Sequence, residues 1–384
     1  MRLTLLGTFA LLLTLSSSAA AQTGGFVVRL GADTVSVERY TQSAGRLVVD
    51  QLGRAPRAML RHFEYDLDAT GAITRFTLRV SPAGAAAGAP PTQTIVGTFT
   101  ADSVITEIGT PNGKNTLRTA LGAGSSVLFM SSPWTQYERL TQKLMGQKAD
   151  TVRNDMWIVS APFTGWLRAK KLGRDSVRVE NDHADVFHMR VDRSGRVLHA
   201  RPVSGTGKFT VDRGTPDIAA VAAQWLAAEK AAGAMGALSV RDTVRAVVAG
   251  DSLWADYGRP AKRGRNVFGE VVPFGEVWRT GANAATQLST TRTLDFGGVL
   301  VPPGRYSVWT IPAATGWTLI LNSQSGQWGT EHDAGKDVCR IPLAVEALPD
   351  VVERFTINVV PRGAGGVLQL DWDTTRAWAE FGVK

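Results

Sequence analysis

Residues 366–373 read GVLQLDWD, a run in which every second side chain changes character. Leu368, Leu370 and Trp372 fall on one face, and Gln369, Asp371 and Asp373 on the other, the in-and-out pattern of a half-buried strand. Upstream, the pattern persists. RFTINVV (354–360), GWTLILN (316–322), GRYSVWTIP (304–312), ATQLSTTRTLDFGG (285–298) and SVRDTVRAVVAGDSLWADYG (239–258) are short apolar or alternating runs between Gly, Pro, Asn and Asp turn signals. That spacing predicts a C-terminal β-sandwich, jelly-roll-like, over residues 240–384.

Further out, FVVRL, TVSVERY, RLVVDQL, FEYDL and AITRFTLRV predict an antiparallel sheet from residue 22 to about 130. The Ala/Gly/Pro-rich SPAGAAAGAPPTQ (81–93) reads as a surface loop. Two helices are expected. In the first, Ser132 and Pro133 give an N-cap and first-turn pair, Tyr137, Leu140 and Leu144 form the stripe, and Gly146 is the stop. In the second, Thr215 and Pro216 stand before Ile218, Val221, Ala222, Trp225 and Leu226, spaced to bury one face. Together they predict an α+β antiparallel-sheet domain over 22–230, a small-residue linker over 231–239, and a mainly β chain throughout. Shifting the chain by 124 residues aligns FEYDLDATGAI (63–73) with FHMRVDRSGRV (187–197), a likeness that Asp- and Gly-containing hairpin turns alone would produce.

Met1 and Arg2 precede a 13-residue apolar run, and Ala19 and Ala21 supply the small residues before Gln22, so residues 1–21 read as a signal peptide. The run is shorter than the roughly 20 apolar residues of a membrane span, so no stable membrane anchor is expected. An exported, periplasmic or extracellular chain with Cys339 as its one cysteine has no internal disulfide and depends on its cores. The net charge of +8 is uneven: residues 1–240 carry 27 Lys and Arg against 19 Asp and Glu, and the remainder 15 against 15. The arginines are scattered singly along strands, without clustering around aromatic residues, which argues against a nucleic-acid partner.

Seven of the eleven tryptophans lie beyond residue 240. Trp309, Trp317 and Trp372 sit inside strands and are expected in the core, whereas Trp278 and Trp328, in VWRTG and GQWGT, stand at turns where an indole can meet a ligand. The stretches YGRPAKRGRNVFGEVVPFGEVWRTGANAAT (257–286), LVPPGRYSVWTIP (300–312) and QWGTEHDAGKDVCRIPL (327–343) resemble the family known as domain of unknown function 2911 (DUF2911), found in exported bacterial proteins. The resemblance implies a compact β domain in the cell envelope and no settled activity, and it leaves the N-terminal part uncovered. In that family the residue after GAN is usually Glu, and here it is Ala284, which removes a candidate acid or base.

What remains is a polar set without proton chemistry: Arg259, Arg265, Trp278, Arg279, Thr280, Asn283, Thr286 and Trp328, suited to a small polar or anionic ligand. The competing reading is that Arg279 and Asn283 brace their own corner. His332, Asp333 and Asp337 form a weak metal candidate, one imidazole with two carboxylates, and no cofactor is expected. No nucleophile elbow or zinc-protease motif occurs, and GTGKFT (205–210) fails as a phosphate loop because Pro202 replaces the first Gly and Phe209 the Ser/Thr. The sequence therefore favours a non-catalytic envelope module, with a hydrolase acting on envelope material, or a carrier enclosing a hydrophobic molecule under the second helix, as alternatives.

Overall fold

The computed structural model describes residues 21–121, 126–128, 133–158 and 164–384. The expected signal peptide, but for Ala21, and the expected cap at Ser132 lie outside these residues.

Among the described residues the chain builds two sheets, one of fifteen strands and one of nine. In the first, the chain steps outward strand by strand from Gln22–Leu30 to Gly113–Ala120. It then re-enters at Ser126–Leu128 and steps back to Thr210–Arg213, which pairs with Gln22–Leu30 through Phe26↔Arg213 and Val28↔Val211. The two arms curl toward each other. Trp157 on one arm meets Phe76 and Phe99 on the other edge-on, with ring centroids 5.9 and 5.7 Å away. Gly97 makes room for it, since a Cβ there would lie 2.9 Å from the indole.

Helix α1 (Thr135–Met145) packs into the curl and buries Leu140 and Leu144 in the sheet's main core. Its first amides have no cap from their own segment. Glu38, on the strand Asp33–Ser43, accepts from Trp134 N (2.7 Å), Thr135 N (2.8 Å) and Thr135 Oγ1 (2.6 Å), satisfying the free donors of the helix start across the core. Glu138 on the helix accepts from Tyr40 Oη (2.5 Å) and Val197 N (2.8 Å) and pairs with Arg213.

The two hairpins that echo each other in sequence share one geometry. Asp68 Oδ1 accepts from Thr70 N and Ala72 N, and Asp192 Oδ1 from Ser194 N and Arg196 N. Both turns also grip α1, because Gly71 O accepts from Arg139 and Gly195 O from Thr141.

Helix α2 (Ile218–Ala232) starts later than the expected Thr215–Pro216 cap. Asp217 is the N-cap, its carboxylate accepting from Ala220 N at 3.0 Å. Its stripe packs on the sheet. Trp225 packs with Val37 and Leu52, a cross-strand pair on the face opposite Tyr40 and Val49, so the helix lies outside the curl while α1 occupies the inside.

In the C-terminal half, the 26-residue strand Asp337–Arg362 joins two layers of a sandwich. Its first part pairs with Trp317–Asn322 and its remainder with Gly365–Val383. The alternation in GVLQLDWD holds on the apolar side, where Leu368, Leu370 and Trp372 are buried. It fails on the polar side. Asp371 is only 5% exposed, because Arg376 folds over it with Nε and Nη2 each 2.8 Å from its carboxylate. Asp373, at φ +57°, ends the regular pleat beside two register shifts.

The halves meet directly. Arg263 Nη1 lies 2.5 Å from Asp33 Oδ2, Ala32 N donates to Arg263 O (2.9 Å), and Thr330 Oγ1 donates to His183 O (3.2 Å). The segment between them is anchored too: Gly236 N donates to Pro56 O, and Met235 and Leu238 pack on the first core. No helix among the described residues is long and apolar enough to cross a membrane.

Candidate functional site

A cavity of about 730 Å³ opens between the two halves, where the 257–286 segment and the Trp328 turn face the loop after strand Val197–Ser204. Its C-terminal wall is set by one short bridge. Trp278 N donates to Thr310 O (2.7 Å) and Thr310 N to Trp278 O (2.8 Å), which fixes the backbone as a strand and sends successive side chains to opposite sides. Trp278 therefore turns inward. It stacks on Trp372 (5.9 Å between ring centroids), meets Phe355 edge-on, donates from Nε1 to Gly281 O, and leaves one edge on the cavity.

Arg279 turns the other way. Among the described residues no acceptor reaches its guanidinium, and its Nε is buried without a partner. Burial pushes its pKa down to about 10, with Asp185 opposing the shift. Space for the side chain exists because residue 329 is Gly: a Cβ there would lie 2.0 Å from Arg279 Cδ. Trp328 supplies a second unpaired buried donor, its Nε1. Arg265 also lines the cavity, with Nε donating to Lys262 O (2.9 Å) and Nη2 to Ala261 O (2.5 Å).

The backbone around Arg279 is held in an uncommon shape. Thr280, a β-branched residue, sits at φ +49° and Asn283 at φ +62°. Thr286 Oγ1 donates to Thr280 O (2.7 Å), and Asn283 O accepts from Gly329 N (3.0 Å). Thr280 and Thr286 are thus buried supports of the loop, whereas the Asn283 side chain is exposed at the cavity rim. Arg259 is elsewhere: it donates to Phe355 O, the Asp242 carboxylate and Thr356 Oγ1 and does not line the cavity.

The N-terminal wall comes from residues the sequence reading did not assign. Asp185 Oδ1 accepts from Thr206 N (2.6 Å) and Gly207 N (2.9 Å), folding GTGKFT onto the cavity edge. Lys208 follows, half-buried. Burial and the charge of Arg279 hold its pKa below the ordinary lysine range. GTGKFT is the signal in the sequence, and its place in a wall shared with another part of the chain arises only in the tertiary fold.

The weak metal candidates are engaged with one another and their turn. His332 Nε2 lies 2.8 Å from Asp337 Oδ1, Asp337 also accepts from Asn322 and Arg340, and Asp333 accepts from Gly335 N. Burial pushes the Asp337 carboxyl up, and hydrogen bonds from Asn322, His332 and Arg340 together outweigh it and hold its pKa below the usual value. Among the described residues no cluster of three or more His, Cys, Asp or Glu is arranged to hold a metal ion.

Residues 239–381 match the family model described as protein of unknown function (DUF2911), and the N-terminal region matches no family. No curated protein matches the chain. Two solved structures are similar to part of it. A DUF1089 family protein from Pseudomonas aeruginosa is 13% identical, covering 53% of this chain and 98% of its own, with a TM-score of 0.31. A β-barrel-like protein of domain of unknown function DUF1849 from Brucella abortus is 10% identical, covering 51% and 94%, with a TM-score of 0.33.

Proposed function

We propose that this protein is an exported, non-catalytic envelope module that holds a small polar or anionic ligand in the cavity between its halves. The observation that carries the reading is Arg279. Its Nε is buried in a cavity wall without a protein acceptor, a cost that a ligand supplying an oxygen would offset. Trp328, Arg265 and Asn283 border the same space, and Ala284 stands where the resemblance to DUF2911 implies a Glu, which favours binding over proton transfer.

The test is calorimetric titration of the full chain with a panel of small anions and polyols, including citrate, D-glucuronate and glycerol 3-phosphate. At least one is expected to bind with one-to-one stoichiometry and to lose its heat in Arg279→Ala. Uniform silence across the panel, or binding indifferent to Arg279→Ala, would remove the proposal. Export is tested separately, by N-terminal sequencing of the protein recovered from the envelope fraction, which is expected to begin at Gln22.

A further inference from the structure

Resting on the ligand site just proposed, we infer that the cavity is a phosphoryl-binding site in which Lys208 of the N-terminal half and Arg265 and Arg279 of the C-terminal half close on the same group.

Both walls of the cavity carry unused donors. Among the described residues, every N–H of Arg279 lacks an acceptor and Lys208 has no carboxylate within ion-pair distance. Arg265 spends Nε and Nη2 on carbonyls and keeps Nη1. Trp328 Nε1 adds one more donor. A single carboxylate offers about four lone-pair positions, fewer than this set can fill, whereas a phosphoryl group accepts on all its terminal oxygens and suits guanidinium forks.

Charge points the same way. Asp185 and Glu276 are the carboxylates on the cavity. Asp185 accepts from two backbone amides and keeps its charge, which acts on Arg279 and Lys208, and Glu276 is exposed at the rim, so three cations face two carboxylates and leave an excess of one positive charge. Arg279 and Arg265 stand near enough to Lys208 for their charge to weigh against its proton, a repulsion that a bound dianion would relieve. The amides of the GTGKFT turn are not the binding element, since Asp185 occupies those of Thr206 and Gly207. The phosphoryl contacts are made by side chains, and they come from both halves.

The experiment uses the full chain with inorganic phosphate, glycerol 3-phosphate and phosphatidylglycerol vesicles, read by calorimetry and by the part of the tryptophan fluorescence change that Trp328→Phe removes. Lys208→Gln and Arg279→Gln are each expected to weaken glycerol 3-phosphate binding by at least about tenfold, and Lys208→Arg by no more than about threefold. Melting temperatures of all variants check folding, and Lys208, which makes no hydrogen bond among the described residues, is the safer substitution. Binding of glycerol 3-phosphate but not vesicles assigns a free phosphoester, and the reverse a lipid headgroup; either supports the site. If citrate or glucuronate binds in an Arg279-dependent way and no phosphoryl probe does, this inference fails while the ligand site stands. If Lys208→Gln binds like the parent while Arg279→Gln does not, the two-sided grip is overturned. Insensitivity to both substitutions sinks both readings.

Discussion

Arg263 and Asp33 tie the C-terminal half to the N-terminal half: Nη1 reaches the carboxylate at 2.5 Å, and the Arg263 carbonyl accepts from the neighbouring Ala32 N. The Arg263 side chain is 8% exposed and Asp33 35%, so the pair is shielded on one side only. Arg263→Ala is expected to cost about 1–2 kcal/mol, much of it as lost cooperation between the halves. Differential scanning calorimetry should show the unfolding transition broaden or split, and an unchanged single transition would mean that the pair contributes nothing to docking.

Gly329→Ala tests whether Arg279 is positioned by its neighbour. The added methyl would meet Arg279 Cδ at 2.0 Å and Asn283 O at 2.2 Å, so the side chain or the loop must move. A loss of about 1–3 kcal/mol in urea unfolding is expected. Ligand binding should fall with it, although residue 329 carries no polar group of its own.

The two turn tryptophans should separate cleanly. Trp278→Ala removes an indole packed on Trp372 and Phe355 and is expected to cost about 3–5 kcal/mol. Trp328→Phe removes only the unpaired Nε1 and part of a cavity wall, so its melting temperature should stay close to that of the parent while ligand affinity drops. Equal losses of stability would show that Trp328 is core as well.

Glu38 makes stability depend on pH. Burial lifts its carboxyl from 4.5 to about 7, against hydrogen bonds from Thr135 and Trp134. The folded value lies above the unfolded one, so its contribution is full below about pH 4.5 and is lost as pH rises through 7. The change is on the order of 3 kcal/mol across that window. Urea titrations at pH 5 and pH 7.5 should show that fall, and Glu38→Gln should flatten it, at a lower plateau because the amide nitrogen would face the Trp134 N–H.

Much of this architecture is written in local pattern. Leu368, Leu370 and Trp372 announce their strand through a two-residue period, and Trp225 announces its helix through a stripe, because both signals depend on neighbours in sequence. What the stripe meets is not local. Trp225 packs on the outer face at Val37 and Leu52, and only the curl of the sheet around α1 decides which face that is. The site divides in the same way. Arg265, Trp278, Arg279, Asn283 and Trp328 were legible because one long signature holds them, and Arg259 shares that signature while serving Phe355 O and Asp242 instead. Lys208 and Asp185 were hidden because their role arises only when the second half closes over them.

The most direct test of the binding account is the melting temperature of ligand-free Arg279→Ala. A guanidinium that braces no protein acceptor can be removed at little cost, so the variant is expected to melt within about 3 °C of the parent, or slightly above it as a buried unpaired Nε disappears. A fall of about 10 °C or more would contradict the account and assign Arg279 to holding its own loop.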